Sequence, residues 1–326
     1  MRLGLTYDLQ TDPADERQAE FDPPATIGAL RLALEARADE VRLLGGPEAL
    51  LRSPQRLEGL DLVFNIAEGR SGRNREAWAP NLLELLGVPY AGSDALALML
   101  GLDKVMSKRL AAAAGVATPA WCSIAHPDAL PKRLPLRFPL IVKPRHQGSG
   151  RGIGPGAVVG SSAALSARVR WLFARCPEPI LIEEFVPYGE LTVLVIGNHP
   201  AVAHPPAQRP IDSASRLSCH VVTPAPETWD CPVVLDDALD QAARAMALTM
   251  FHAVTCRDVA RVDLRVNEAG QLSFLEINPL PSYDPEGTFG LIAEQLGLSY
   301  AAMVGQVLDA AVTRFGLACE PAERTR

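Results

Sequence analysis

Asp263, Glu276 and Asn278 carry oxygen donors from which a site for a hard divalent cation could be built. They fall in two runs, 261–266 and 272–279, separated by the turn residues Asn267-Glu268-Ala269-Gly270. Val262, Leu264 and Val266 alternate with Arg261, Asp263 and Arg265, the period-2 pattern of a half-buried strand. In the second run the same alternation predicts Phe274, Glu276 and Asn278 on one face, with Leu275 and Ile277 on the other. Such a hairpin sets Asp263 beside Glu276 and Asn278, with Arg261 next to them. Mg²⁺ takes carboxylate and carbonyl oxygens and completes its shell with water and substrate phosphates. A solvent-facing edge hairpin has the same pattern, so the chemistry depends on what the rest of the chain brings.

A second group suits a phosphate. The strand pattern 138–144 ends at Lys143 and runs into Gly148, Gly150, Gly152 and Gly154, with Ser149 among them. Glycines there permit a tight backbone whose N–H groups point at an anion, and Ser149 adds a hydroxyl donor. The spacing is neither that of a P-loop nor that of a dinucleotide fingerprint, so a flexible cover over phosphates is the expectation. A third group surrounds the break Pro187-Tyr188-Gly189 between two strand patterns, 180–186 and 190–197. Glu183, the backbone of Phe185 and Val186, and Glu190 together offer what a purine and a ribose require. Arg70, Arg73 and Arg75 lie in the loop after the third strand, where open parallel sheets bind ligands, and could hold a carboxylate.

The elements that must position these groups are legible in outline. Residues 1–102 alternate strands (3–6, 41–44, 61–66 and a short one near 88–92) with helices (26–38, 76–86), which implies a parallel sheet with crossover helices. A polar segment, 10–20, reads as mobile. Ser93-Asp94 caps a helix, 95–102, and Asp103-Lys104 leads into a second, to about 114. Further helices are expected over 161–174, 235–251, 289–296 and 300–315. The Pro- and Ser-rich stretch 199–226 reads as irregular, a functional lid or a mobile region. The division expected is an N-terminal substrate domain 1–102, a central subdomain 103–189, a C-terminal catalytic subdomain 190–318 and a disordered tail 319–326.

Composition narrows the partners. The 326 residues are 48% hydrophobic and 21% charged, ordinary for a soluble globular protein. A net charge of −7 argues against nucleic-acid binding through a basic surface. No apolar run approaches a membrane span, and the N-terminus is too brief and too soon acidic for a signal peptide. Cys122, Cys176, Cys219, Cys231, Cys256 and Cys319 are scattered, as free thiols in a cytoplasmic protein are. His199 and His204 lack further ligands at zinc spacing.

Taken in order, Asp103-Lys104, Lys143 before its Gly loop, Glu183 and Glu190 around a hinge, Arg261-x-Asp263 and Glu276-Ile277-Asn278-Pro279 resemble the ATP-grasp superfamily, and within it the D-alanine–D-alanine ligase branch. Phe64-Asn65-Ile66 and Gly87-Val88-Pro89-Tyr90-Ala91-Gly92-Ser93 extend the resemblance toward the N-terminus. It implies an α/β ATP-grasp fold, in which a parallel-sheet N-terminal domain precedes two α+β subdomains that enclose ATP. It also implies a carboxylate–amine ligase that works through an acyl phosphate and releases ADP and phosphate. Lys104 and Lys143 would contact ATP phosphates beneath the loop holding Gly148 and Gly150. Glu183, Phe185 and Val186 would read adenine, and Glu190 the ribose. Asp263, Glu276 and Asn278 would bind two Mg²⁺ (or Mn²⁺), while Arg261 and Ser149 would attend the reacting groups. The substrates would be amino acids or peptides, and the assembly a homodimer.

The departures from that family fall in its amino-acid pockets. The Gly-rich opening with a catalytic Glu is replaced by Leu5-Thr6-Tyr7-Asp8-Leu9, with Glu20 or Asp22 as distant stand-ins. Glu68-Gly69 stands where the family has His-Gly, and the 199–226 segment has Arg209 and Arg216 but no Lys-Tyr pair. Gly287 and Thr288 stand where a Ser-Leu is expected. Glu68, Arg73, Arg75, Gly287 and Thr288 are therefore the candidate substrate contacts, and amino acids other than D-alanine come into view. A nucleotide-binding protein without turnover, and a kinase that stops at a phosphorylated product, are the competing readings.

Overall fold

A parallel sheet opens the chain. Strands β1 (Arg2–Tyr7), β2 (Glu40–Gly45), β3 (Leu62–Ile66) and β4 (Tyr90–Ala91) lie in the order β2-β1-β3-β4, all parallel. The computed structural model describes residues 1–317, so the expected tail 319–326 lies outside the described residues. Helices α1 (Pro24–Glu35), α2 (Pro47–Arg52) and α3 (Trp78–Leu85) make the crossovers. Buried apolar strands such as Leu62-Val63-Phe64 need cover on both faces.

Two short helices then carry the chain away from this sheet: α4 (Ala95–Leu102) and α5 (Lys104–Ala113). Asp94 caps the first by accepting from Ala97 N, and Asp103 caps the second by accepting from Val105 N and Met106 N. An antiparallel sheet follows, in the order β5-β8-β6-β7: β5 (Trp121–Ile124), β6 (Leu140–Pro144), β7 (Val158–Val159) and β8 (Ile180–Glu184). Helix α6 (Ser162–Arg175) covers one face with Leu165, Val169 and Leu172.

The stretch expected to be irregular is folded. After β9 (Gly189–Gly197) come β10 (Ala201–Ala203), β11 (Ala207–Arg209), β12 (Ile211–Asp212) and β13 (Trp229–Asp230). Strands β10 and β11 both pair antiparallel with β9, and β12 pairs with β13. The edge of β9 presents N–H and C=O groups that need partners, and this segment supplies them. Pieces of two or three residues are too short for periodicity to reveal. Segment 10–20 likewise holds a turn of helix at Glu16–Gln18 capped by Asp15, and Glu20 is buried rather than mobile.

Helix α7 (Asp237–Ala253) packs Ala243, Ala247, Met250 and Phe251 beneath the last sheet, completed by β14 (Val259–Val266) and β15 (Leu272–Asn278) in the order β10-β9-β14-β15. Helices α8 (Thr288–Gln295) and α9 (Tyr300–Phe315) return to the first sheet, where Met303, Val307 and Leu308 join Leu3, Leu5, Leu30 and Leu34 in one core. No single helix among the described residues is long and apolar enough to cross a membrane.

Asp258 ties these layers together. Its fully buried carboxylate accepts from Gly92 N at 2.9 Å, Asn198 Nδ2 at 2.8 Å and Arg314 Nε at 2.9 Å. Removing one partner of a buried ion pair leaves an uncompensated charge. Arg314→Ala is therefore expected to destabilise the fold by about 3–5 kcal/mol in urea denaturation.

Candidate active site

The β14–β15 hairpin places its oxygens as expected but not by simple alternation. Asp263 pairs with Glu276, and the next residue, Leu264, pairs with Phe274, so Leu275 is the extra residue of a β-bulge. The bulge corrects the predicted faces. Phe274 turns into the core with Ile277, while Leu275 lines the cleft with Glu276. Asp263 is gripped by Arg261 through Nη2 at 2.8 Å and Nε at 3.0 Å, and accepts from Thr192 Oγ1 at 2.7 Å and Asn278 Nδ2 at 3.3 Å. Burial alone pushes the Asp263 carboxyl up, but Arg261, Arg209 and the Thr192 hydroxyl together hold it at about 2. Burial and Asp263 oppose ionisation of Glu276, and Lys104, Lys143 and Arg261 together outweigh them, keeping this carboxyl below its ordinary value.

Lys104 reaches Glu276 because two helices meet at the end of β15. Gly101 allows it: a Cβ there would sit 2.4 Å from Pro279 Cδ and 3.2 Å from Ile277 O. Asp103 then fixes the start of α5 to the end of β6, accepting from Arg145 at 2.7 and 2.6 Å while capping the helix. Lys104 Nζ is left 2.7 Å from Gln147 O and 3.3 Å from Glu276. Lys108, one helical turn later, pairs with Glu183 at 2.5 Å, and Lys143 reaches the same carboxylate at 3.2 Å. Burial pushes Glu183 up, yet the two lysines hold it below its usual range, so it stands as an ionised acceptor. Glu190 pairs with Arg265 at 2.9 Å and accepts from Ser218 Oγ at 2.6 Å.

These groups line a cleft closed by the segment 217–221. Lys104, Lys143, Gly148, Gly150, Glu183, Phe185, Val186, Glu190, Asp263 and Glu276 all border it. Ile141, Ile153 and Phe185 form its apolar wall, against which Leu217 and Val221 pack from above. The remaining volume is about 70 Å³. Drug-sized ligands occupy sites of roughly 300–1,000 Å³, so the segment above must shift to admit a nucleotide.

A larger cavity of about 370 Å³ opens on the other side of Glu276 and is bordered by Ser149, Arg261, Asn278, Glu68, Gly287 and Thr288. Ser149 adopts φ 46°, a strained backbone for a non-glycine residue and of the kind held at functional sites. Arg73 and Arg75 do not border this cavity. Arg73 is solvent-exposed, and Arg75 is buried, pairing with Glu20 at 2.6 Å and donating to His146 O at 2.8 Å. Burial of a guanidinium demands such partners, so Arg75 is consumed as a clamp between segment 20, its own loop and the Gly loop, where Glu20 also accepts from Gly148 N at 2.6 Å.

Sequence reasoning missed Lys108, Thr192, Ser218 and His220. Lys108 had a signal, since it stands four residues after Lys104 on one helix face. Thr192 faces Asp263 only through the β9–β14 register, and Ser218 and His220 reach the cleft only through the folding of the 199–226 segment. Arg209 and His220 border both cavities. Burial, with Arg209 nearby, depresses His220 to about 4, so it is neutral at physiological pH.

The donor set fits a hard cation. Asp263 and Glu276 face each other across the hairpin, and Asn278 donates through Nδ2, which leaves its Oδ1 as an acceptor. Arg261 and Lys104 neutralise the two carboxylates in the arrangement described. One or two carboxylates completed by substrate phosphates suit Mg²⁺.

Over residues 110–309 the chain matches the family described as D-ala D-ala ligase C-terminus. It is 32% identical to a D-alanine–D-alanine ligase of Alcanivorax borkumensis, covering 81% of each chain. It is also 32% identical to the uncharacterised protein y4sG of Sinorhizobium fredii, over 87% of this chain and 86% of the other. Among solved structures it resembles a Bacillus anthracis D-alanine–D-alanine ligase complexed with ATP, with a TM-score of 0.70, 20% identity and coverage of 98% and 99%. The Enterococcus faecalis VanG D-Ala:D-Ser ligase gives a TM-score of 0.71 at 18% identity, with coverage of 95% and 99%.

Gly150 offers a test of the closed cleft. It adopts φ +70°, and a Cβ there would lie 2.3 Å from Val221 Cγ1. Gly150→Ala introduces left-handed strain of about 1–2 kcal/mol and presses on the covering segment. MgATP affinity, measured by calorimetry, should fall roughly tenfold. Adding Val221→Ala should recover the part due to the collision.

Proposed function

The chain belongs to the D-alanine–D-alanine ligase family, an ATP-dependent ligase forming amide bonds, and from that membership we propose a role for each residue around its two cavities. The observation that carries the reading is the convergence of Lys104, Glu276 and the Gly loop where the two cavities meet, with Asp263 beside them in the cleft. Lys104 and Lys143 bind ATP phosphates. Glu183, ionised between two lysines, accepts from the adenine amino group beside the backbone of Phe185 and Val186. Glu190, steadied by Arg265 and Ser218, accepts from the ribose hydroxyls. Asp263, Glu276 and Asn278 hold Mg²⁺, whose contribution when bound is to neutralise phosphate charge.

The chemistry follows from the weakness of a carboxylate as an acyl donor, since its leaving group would be oxide. A substrate carboxylate oxygen attacks the γ-phosphorus, the bond to ADP breaks, and an acyl phosphate results. Catalysis of this transfer is mainly positioning and charge neutralisation. Arg261 neutralises the transferred phosphoryl group in this reading, and Ser149 attends the acyl group. The amine of the second substrate then attacks the acyl carbon, a proton leaves the nitrogen, and the C–O bond to phosphate breaks. An acyl phosphate hydrolyses readily, so closure of the 217–221 segment and the Gly loop serves to exclude water.

The substrates are amino acids or a peptide. Glu68, Gly287 and Thr288 border the cavity they would occupy and depart from the family pattern, which favours a pair other than two D-alanines. Free thiols at Cys122, Cys176, Cys219, Cys231 and Cys256 suit the cytoplasm.

Glu276→Gln removes a charge where phosphoryl transfer is proposed and should lower kcat roughly 10²–10³-fold, with the fold intact by circular dichroism. Near-normal turnover would overturn the metal assignment. ADP release across amino-acid pairs, with the product read by mass spectrometry, tests the reaction. A stable phosphorylated substrate in place of an amide would mark a kinase instead.

A further inference from the structure

The substrate cavity has a wall of carboxylates whose charge the ligase reading leaves unexplained. Asp22 lies just before α1, Glu68 just after β3 and Asp284 in the loop before α8, and all three border the cavity. Asp22 is only 8% exposed, and among the described residues its side chain has no hydrogen-bond or ion-pair partner. Burial, with Asp284 and Asp8 nearby, pushes its carboxyl up to about 7. Glu68 is raised too, by burial and by its neighbours Glu76 and Glu20.

Among the described residues no cation forms an ion pair with Asp22, Glu68 or Asp284, although Arg75 acts on Glu68 from a distance. Of the cations bordering the cavity among the described residues, Lys104 is taken by Glu276 and Gln147 O, Arg261 by Asp263, and Arg209 lies near Glu190 and His220. Arg75, behind the wall, is held by Glu20. Asp284 spends one oxygen on Glu286 N, at 3.0 Å. Buried carboxylates without partners are costly, and such a wall is expected to persist where a ligand completes it. A single α-ammonium group would answer one carboxylate and leave the others facing each other.

We propose that one of the two substrates is an amino acid with a cationic side chain, an amine or guanidine, received by Asp22, Asp284 and Glu68. The proposal rests on the ligase reading and names a substrate class for the same cavity. The reacting carboxylate or amine lies toward Arg261 and Glu276, and the cationic end toward α1 and α8.

Binding measured by calorimetry, with Mg²⁺ and a non-hydrolysable ATP analogue present, separates this idea from the reaction itself. The probes are lysine and arginine of either hand against norleucine and citrulline, which match their size without the charge. The cationic member of a pair is expected to bind at least roughly tenfold more tightly. That advantage should shrink to near unity in Asp22→Asn and Asp284→Asn, each checked for an unchanged melting temperature and unchanged affinity for the ATP analogue. Equal binding of the neutral isosteres, or an advantage that survives both substitutions, would overturn the proposal while leaving the ligase intact. A clear cationic preference without ADP release from any pair would instead sink the ligase reading and keep the cation pocket.

Discussion

A carboxylate taken out of water must be met by a cation or by strong donors, and that requirement shapes the centre of this protein. Glu183 is held by Lys108 and Lys143, Glu190 by Arg265, Asp263 by Arg261 and Glu276 by Lys104. The partners come from different elements: α5, β6, β8, β9, β14 and β15. Apart from Arg261 and Asp263, which share β14, each pair therefore fixes one element against another as well as keeping an oxygen ionised. The site is assembled by the same interactions that hold its walls together.

In the proposed function this compensation serves an incoming anion and its metal. Lys104 borders both the cleft and the larger cavity and Arg261 the larger one, so phosphate oxygens or a cation entering there would exchange partners with groups already in place. Such preorganisation lowers the cost of ordering charges at the moment of reaction. The covering segment works on the same principle through apolar contact. Leu217 and Val221 fill the proposed nucleotide slot against Ile141, Ile153 and Phe185, so opening exposes apolar surface that adenine would cover again.

The first cavity and the second differ in how their charges balance. Around the cleft each named buried carboxylate has its cation. Around the larger cavity Asp22 and Glu68 do not, although the sheet, α1 and α8 that carry them are as firmly packed. Function, rather than stability, is the natural account of an imbalance confined to a ligand-facing wall.

Much of this was legible in the residues themselves. The β-α-β alternation, the two helices capped by Asp94 and Asp103, and the two runs of the hairpin all follow from local pattern, because capping and period depend on neighbours a few residues away. The order of Lys104, Lys143, Glu183, Glu190, Asp263, Glu276 and Asn278 was enough to indicate an ATP-grasp ligase. Tertiary structure alone decided the rest. The bulge at Leu275, which sends Phe274 into the core, is a property of strand pairing and not of either strand. The short strands β10 and β11 exist because β9 has an edge to pair. Arg75 looked like a substrate ligand and became a buried clamp, because Glu20, fifty-five residues away, is folded against it. The acidic wall joins Asp22, Glu68 and Asp284 from three distant segments. Periodicity is local, whereas the compensation of a charge depends on everything the fold brings within a few ångströms of it.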